Sequence, residues 1–205
     1  KELIGNWGFT NVTKNWNWKD ADQKPVQVAV FSNGDEVELI QNGTSVGKLT
    51  SGTRLAADLP HSFLFDLTYL PGTLEAVSYK DGKEISRDTL VTTGPAKELR
   101  LIQEKKELSA NGHEVAYVRV EIVDENGIVV PDAALKLSAA VEGVGSLAAF
   151  GSSNPITDEN YTSGTFTSYH GTATAIIRSG YQTGMCTLTV GCEGLDEKKI
   201  AFTIK

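Results

Sequence analysis

The 205-residue sequence has only two cysteines, and their spacing argues against a disulfide. Cys186 and Cys192 share the segment GMCTLTVGCEG, in which CTLTV has the pattern of a single strand. Six residues of extended chain separate two Cα atoms by about 20 Å, whereas a disulfide spans at most about 7 Å. We therefore expect two free, buried thiols, which leave the cellular compartment undetermined.

Histidines are also few, and the sequence lacks the spacings that are typical of metal sites. His61, His113 and His170 are the only three, and neither an HxH nor an HExxH pattern occurs. The two cysteines do not form a CxxC pair, and no nucleotide-binding loop or flavin motif is present. We expect neither a metal nor an organic cofactor.

Long apolar runs and basic clusters are missing as well. No run approaches the roughly 18 apolar residues that cross a bilayer. The net charge of −7 comes from 26 acidic and 19 basic residues, without a basic stripe that could follow a phosphate backbone. We expect no membrane and no nucleic-acid partner. The start, KELIGNWGF, lacks an initiator Met and a signal-peptide pattern, so we expect a piece of a longer protein.

The pattern that dominates the first half of the sequence is alternation of apolar and polar residues with a period of two. It predicts strands at VQVAVF (26–31), EVELIQ (36–41), FLFDLT (63–68), TLEAVSY (73–79) and EISRDTL (84–90). The turns between them contain Asn33-Gly34, Asn42-Gly43, Pro71-Gly72 and Asp81-Gly82, residues that suit the backbone angles of tight turns. Short strands at this spacing predict a small β-sandwich.

A second series of strands begins after Gly94-Pro95, a pair that ends the preceding strand. Its most regular member is VAYVRVEIVD (115–124), and the others are LRLIQE, IVVPDA, LKLSAAVEG, TATAIIRSG, CTLTVGCEG and KKIAFTIK. No stretch of helical period is present. The sequence therefore predicts an all-β protein with two immunoglobulin-like antiparallel β-sandwich domains in tandem, residues 1–93 and 94–205.

One stretch interrupts the alternation. Residues 145–170 are rich in Gly, Ser, Thr and Asn, and they also carry Tyr161, Phe166, Tyr169 and His170. This composition predicts a long loop. Two interpretations are open, a loop that packs on its own domain and a loop that contacts a ligand or a partner.

Several segments, in the order in which they occur, resemble glycoside hydrolase family 2, the β-galactosidase and β-glucuronidase family. They are NWNW (15–18), SNGDEVELIQNGTSVG (32–47), LTYLPGTLEAVSYKDGK (67–83), AYVRVEIVDENGIVVPDA (116–133), FGSSNP (150–155), AIIRSG and TLTVGCEGL. Asn15 stands where the family usually has His, Ile40-Gln41 where it has Phe-Leu, and GSSNP where a GNGNP-like motif is usual. The resemblance is to the two β-sandwich domains that follow the catalytic barrel in bacterial members.

The resemblance implies that the catalytic residues lie outside this chain. A retaining glycosidase needs two carboxylates about 5 Å apart, and in this family they come from a (β/α)₈ barrel of about 250 residues. No such segment is present, so no catalytic residue is assigned. The acidic run Asp35, Glu36 and Glu38 is expected on the solvent face of a hairpin, with Val37 and Leu39 on its inner face.

Trp16 and Trp18 are the candidate functional residues. Aromatic faces stack on sugar rings, and two indoles on one strand face would form a binding platform. The alternative is that one indole packs beneath the sandwich while the other contacts the barrel, since the resemblance places this pair where the chain leaves the barrel. Three roles remain open for this pair: contact with another domain, contact with sugar near the parent's active site, and an independent sugar site.

The leading hypothesis is a non-catalytic accessory region that braces the catalytic barrel and shapes its substrate cleft. Its partner would be the barrel of the same polypeptide. A second hypothesis is an independent carbohydrate-binding module that uses Trp16, Trp18 or the 145–170 loop. A third is a bacterial adhesin, although the two halves do not repeat one another. The resemblance points to a bacterial parent, for which a periplasmic or extracellular location is expected.

Overall fold

The computed structural model describes residues 12–18, 20–50 and 61–205. Within these ranges the chain forms fifteen β-strands and no helix. The described residues fall into two compact units, which divide between Thr92 and Thr93. No helix in this part of the chain has the length and apolar character needed to cross a membrane.

The first unit contains six strands in two sheets. The strands are β1 (Pro25–Phe31), β2 (Glu36–Gln41), β3 (Thr44–Thr50), β4 (Ser62–Thr68), β5 (Thr73–Lys80) and β6 (Lys83–Val91). β1 and β4 form a two-stranded antiparallel sheet, and the other four form an antiparallel sheet in the order β3-β2-β5-β6. A sheet of two strands thus accompanies a sheet of four.

Alternation and turn chemistry explain these strands. In β2 the side chains of Val37 and Leu39 are fully buried, while those of Glu36 and Glu38 reach the surface, as expected from the sequence. The turn between β2 and β3 has φ values of 50° at Asn42 and 78° at Gly43. Positive φ at both central residues defines the type I′ turn that best fits the twist of a hairpin. Asp81 and Gly82 repeat this geometry between β5 and β6.

The second unit is a β-sandwich of nine strands. They are β7 (Glu98–Gln103), β8 (Glu107–Leu108), β9 (Val115–Val123), β10 (Lys136–Gly143), β11 (Gly145–Gly151), β12 (Thr165–Thr167), β13 (Thr172–Ser179), β14 (Gly184–Cys192) and β15 (Leu195–Ile204). One sheet has the order β12-β10-β14-β15-β8 and the other β11-β13-β9-β7. Apolar side chains from both sheets form its core, among them Val118, Val120, Phe150, Phe166, Leu188 and Phe202.

The all-β, two-sandwich fold predicted from the sequence is confirmed, and three details of the prediction are wrong. Residues 145–170 are not one long loop, because β11 and β12 occupy its two ends. The segment IVVPDA forms only an isolated bridge between Val129 and Val123. The short pair β8–β15 is parallel, whereas every other strand pair is antiparallel among the described residues.

The cysteines are free, as the spacing predicts. Both lie on β14, which keeps them apart in the extended chain. Cys186 is buried, but Cys192 is only partly buried, so the expectation of two buried thiols is half right. Burial raises the pKa of the Cys186 thiol and of the Cys192 thiol.

Candidate functional site

The two candidate tryptophans lie in the extended stretch that precedes β1, and their environments differ. Trp16 is 3% exposed and belongs to the core of the first unit, together with Val37, Leu39, Phe63, Phe65, Tyr69 and Leu74. Trp18 is 43% exposed. The segment that carries them is not part of a described strand, so the pair is not a two-indole platform on one strand face.

Trp16 fixes this stretch to the rest of the unit. Its indole meets the Tyr69 ring edge-on, with 4.8 Å between the ring centroids. The Tyr69 hydroxyl donates a hydrogen bond of 3.0 Å to the Trp16 carbonyl, and the Thr92 hydroxyl donates one of 2.8 Å to the same oxygen. The carbonyl of Trp16 therefore links three parts of the chain that are distant in sequence.

Trp18 is exposed but held in place. Its indole Nε1–H donates to the carbonyl of Asn15 at 3.2 Å, and its backbone N–H donates to the Tyr69 hydroxyl at 3.4 Å. The Asn15 side chain also accepts the backbone N–H of Asn17 at 2.7 Å, a local contact that spans Trp16. Both the ring and the backbone of Trp18 are thus restrained while its surface faces outward.

Trp18 lies at a cleft of about 700 Å³ in the first unit. Apolar side chains of β1, β5 and β6 line it, with contributions from residues 12–16 and from β2 and β4; they include Val26, Val28, Val30, Leu39, Leu64, Leu74, Ala76 and Leu90. Among the described strands β1 pairs only with β4, so its other edge has no strand partner there. The β1–β4 sheet has two strands and the β3-β2-β5-β6 sheet has four. Side chains of the four-stranded sheet therefore line the cleft beside β1.

Polar groups also line this cleft. Lys14 and Asp88 form an exposed ion pair, with 2.8 Å between Nζ and Oδ2. Arg87 lies beside them and donates to Glu75 at 2.6 Å and to Glu84 at 3.2 Å. The Nε1–H of Trp16 has no hydrogen-bond partner among the described residues. The cleft therefore combines an apolar lining, charged groups and one unused donor.

Five carboxyl groups have a pKa that is moved in the direction opposite to that of a glycosidase acid. A general acid needs a carboxyl pKa raised toward neutrality. Here the surroundings lower the pKa of Glu38, Glu98, Glu114, Asp124 and Glu159. In the described ranges no group of three or more His, Cys, Asp or Glu residues could hold a metal ion. Among the described residues, the cleft therefore presents an apolar surface with charged groups beside it.

The acidic run on β2 takes part in a surface network. Lys48 lies 3.2 Å from Glu36 and 3.6 Å from Glu38, and its ammonium stands 4.4 Å from the centroid of the Tyr79 ring. Hydrogen bonds from the Ser45 side chain and from the Tyr79 hydroxyl lower the pKa of Glu38. These glutamates are paired acceptors on the outer face of the hairpin.

The connection between β11 and β12 is anchored to its own unit. Glu159 accepts hydrogen bonds from the backbone N–H and the hydroxyl of Thr167, and it pairs with Lys136. Tyr161 packs on the buried Phe166, with ring centroids 4.7 Å apart. These contacts favour the packed interpretation of this connection over ligand binding.

The sequence did not identify Tyr69, Thr92 or Asn15 as parts of this site. Tyr69 and Thr92 reach Trp16 across 53 and 76 residues of sequence, so no local pattern marks them. Asn15 carries a weak signal, because Asn commonly accepts a backbone N–H two residues ahead.

Comparison with family models matches both units. The model described as glycoside hydrolase family 2 C-terminal domain 5 matches residues 99–201. A domain of unknown function matches residues 23–86.

Individual relatives agree with these matches. The chain is 29% identical to a beta-galactosidase of Bacteroides ovatus over 180 residues, which cover 88% of this chain and 20% of that protein. It is 33% identical to a beta-galactosidase of Thermoanaerobacter pseudethanolicus over 144 residues, 65% of this chain and 19% of that protein. The solved structure of a glycosyl hydrolase family 2 member from Bacteroides cellulosilyticus superposes with a TM-score of 0.90 at 29% identity, covering 98% of this chain and 26% of that one. The chain spans about a fifth of the length of these curated relatives.

Proposed function

The chain belongs to glycoside hydrolase family 2, and from this premise we propose that it is a non-catalytic C-terminal accessory region of a β-galactosidase-like enzyme. Residues 1–93 and 94–205 act as two accessory domains that follow the catalytic barrel of the same polypeptide. They brace that barrel and shape one side of its substrate cleft. The similarity to about one fifth of two beta-galactosidases supports this role.

The observation that carries the proposal is the state of Trp18. One hydrogen bond restrains its indole and another its backbone N–H, and yet the residue is 43% exposed beside an apolar cleft. A large aromatic side chain fixed in an outward position loses little conformational entropy when a partner covers it. Burying about 100 Å² of such a surface contributes about 2–3 kcal/mol. Trp18 thus has the properties of an anchor residue for a protein interface.

The carboxylates support a role without chemistry. Glu75 and Glu84 come together on one side chain, Arg87, which is the pattern of a structural ion-pair cluster. The surroundings lower the pKa of Glu38, Glu98, Glu114, Asp124 and Glu159, which favours the ionised form of these carboxyl groups. A retaining mechanism needs one carboxyl that stays protonated long enough to act as an acid.

The test uses the full-length polypeptide that contains this chain. Trp18→Ala should shorten the half-life of galactosidase activity at elevated temperature several-fold, while kcat at low temperature changes little, because the barrel keeps its own catalytic groups. Tyr181→Ala, which removes another exposed aromatic side chain in the second unit, is the matched control. An unchanged half-life for Trp18→Ala would remove the basis for a bracing role of this residue.

A second candidate function is carbohydrate binding at the same cleft. The exposed indole of Trp18 beside the Lys14–Asp88 pair combines an aromatic face with polar groups, as sugar sites do. Titration of the isolated chain with galacto-oligosaccharides, followed by tryptophan fluorescence, separates the two. Saturable binding that is lost in Trp18→Ala and retained in Tyr181→Ala supports binding, whereas no saturable change supports bracing alone.

A further inference from the structure

The cleft of the first unit lies along an edge of each of its two sheets. Among the described strands, β1 pairs with β4 alone and β6 pairs with β5 alone, so each is an edge strand. Both strands line the cleft, through residues 26–31 of β1 and residues 86–88 and 90 of β6. The cleft is therefore bounded by backbone edges as well as by side chains.

The register of β1 shows which backbone groups point to its second edge. The N–H of Ser32 donates to the carbonyl of His61, and the carbonyl of Lys24 accepts the N–H of Tyr69. In an antiparallel pair these bonds recur at every second residue, so the even-numbered residues of β1 direct their backbone groups to β4. The backbone groups that point to the second edge belong to Gln27, Ala29 and Phe31, which also line the cleft.

This second edge is unused in the described part of the chain. There the N–H and C=O groups of Gln27, Ala29 and Phe31 form no backbone hydrogen bond with another element. A row of such groups is a template on which a further strand can pair. The side chains of Val26, Val28 and Val30 pack toward the core of the first unit, so an added strand would continue the same apolar layer.

A buried donor at the same cleft lacks an acceptor. Trp16 is 3% exposed and lines the cleft, and its Nε1–H has no hydrogen-bond partner among the described residues. Buried polar groups in folded proteins nearly always have a partner, so this N–H points to an acceptor from outside these residues. An occupant of the cleft is therefore expected to bring an acceptor together with apolar surface.

The charged groups at the cleft are already paired. Lys14 lies 2.8 Å from Asp88, and Arg87 lies 2.6 Å from Glu75 and 3.2 Å from Glu84. An occupant therefore needs no charge of its own. The hydroxyl groups of a sugar would lose water against the leucine and valine side chains of the cleft without gaining partners there. An uncharged segment of extended polypeptide fits this lining better.

We propose that the cleft receives a β-strand from the catalytic domain of the same polypeptide. The strand runs along β1 and exchanges backbone hydrogen bonds with Gln27, Ala29 and Phe31. Its apolar side chains, at every second position, pack on β5 and β6, and one of its carbonyls accepts the Nε1–H of Trp16. The inference rests on the proposed function, because that function supplies the partner.

Trp18 connects this strand site with the proposed contact to the catalytic domain. Its exposed ring lies at the same cleft, so one partner can both cover the ring and fill the cleft. In strand addition, main-chain hydrogen bonds give affinity and alternate side chains give specificity. About six residues of extended chain span about 20 Å, which is close to the length of the seven-residue β1.

Amide hydrogen exchange, resolved to single residues by mass spectrometry, tests the proposal in the 205-residue chain and in the full-length polypeptide that contains it. In the isolated chain, the amides of Gln27, Ala29 and Phe31 should exchange about tenfold faster than those of Val28 and Val30, which bond to β4. In the full-length polypeptide, the three edge amides should slow to the rate of the Val28 and Val30 amides.

Ala29→Pro removes one N–H from this edge, and proline is tolerated on edge strands. In the full-length polypeptide this variant should speed the exchange of the Gln27 and Phe31 amides about tenfold, because the added strand loses a hydrogen bond between them. Ala29→Ser keeps the N–H and is the matched control, which should leave both rates unchanged.

Three results would overturn the proposal. The first is fast exchange of the edge amides in the full-length polypeptide, even where Trp18→Ala shortens the half-life of activity as the bracing role predicts. The second is slow exchange of these amides in the isolated chain, because the chain itself would then cover this edge. The third is slowing of the same amides by galacto-oligosaccharides in the isolated chain, which would assign the cleft to a sugar.

Discussion

The hydroxyl of Tyr69 donates to the carbonyl of Trp16 and accepts the backbone N–H of Trp18, so one side chain holds both residues that flank Asn17. This contact spans about fifty residues of sequence and joins the end of β4 to the stretch before β1. It accounts for the different exposures of two tryptophans that are separated by one residue. Trp16 is drawn into the core, and Trp18 is left outside in a fixed position.

Tyr69→Phe removes this link with little change in volume. The variant should destabilise the first unit by about 1–2 kcal/mol, because the carbonyl of Trp16 and the N–H of Trp18 each lose a partner. All three tryptophans precede Thr92, so tryptophan fluorescence during urea unfolding reports on the first unit. Tyr79→Phe, which removes a surface hydroxyl bonded to Glu38, is the control and should cost less than about 0.5 kcal/mol.

The two tryptophans should respond differently to truncation in the isolated chain. Trp16→Ala should destabilise the first unit by about 3–5 kcal/mol, because it opens a cavity among buried side chains. Trp18→Ala should cost less than about 1 kcal/mol, since its ring is largely outside the core. Urea unfolding followed by circular dichroism measures both. Equal losses of unfolding free energy in the two variants would contradict the assignment of Trp16 to the core and of Trp18 to a contact surface.

Asp124 is predicted to stabilise the second unit through three backbone N–H groups. Its carboxylate accepts hydrogen bonds of 2.9–3.0 Å from Gly94, Asn126 and Ile128. Asp124→Ala should lower the unfolding free energy of the second unit by about 2–3 kcal/mol, because buried donors lose their acceptor. Amide hydrogen exchange of β9 and calorimetry measure the effect. Asp158→Ala, at an exposed carboxylate, is the control and should have little effect.

The lowered pKa of Asp124 also predicts that the second unit loses stability in acid. Burial raises the pKa of Asp124, but the N–H donors of Ile128, Gly94 and Asn126 outweigh burial and lower it overall. A carboxyl whose folded pKa is depressed contributes stability above its unfolded pKa of about 3.9 and loses that contribution as the pH falls. Thermal melting between pH 7 and pH 3 should show the loss below about pH 4 in the wild type. The loss should be smaller in Asp124→Asn.

Glu114 should titrate at an unusually low pH. A hydrogen bond from Lys105 and the backbone N–H of Ser109 lower the pKa of Glu114 to about 2. Carboxyl carbon chemical shifts measured by NMR between pH 1.5 and pH 7 give this value directly. Lys105→Gln should move the pKa of Glu114 back toward its ordinary value. A normal pKa in the wild-type chain would mean that the Lys105 contact does not persist in solution.

The sequence predicts the strands well where alternation and turn residues agree. The hairpin from Glu36 to Thr50 follows from buried Val37 and Leu39 and from the Asn42-Gly43 turn. The sequence pattern fails at β11, because GSLAAFG contains four Gly and Ala residues and lacks alternation of apolar and polar side chains. A register shift between Leu147 and Ala149 disrupts the period further. β12 has three residues, too few for a periodic signal.

The site was predictable in part. Aromatic character marks Trp16 and Trp18, but their spacing of two residues implied one shared face. In the structure Trp16 lies in the core and Trp18 is exposed, and their segment is not part of a described strand. The contacts of Tyr69 and Thr92 are tertiary and have no local sequence pattern.

Hydrolysis of nitrophenyl β-galactoside by the isolated 205-residue chain tests the central claim most directly. The proposal of a non-catalytic accessory region predicts a rate equal to that of buffer alone at every pH between 4 and 8. Turnover above that background that a single Glu→Gln substitution abolishes would contradict it.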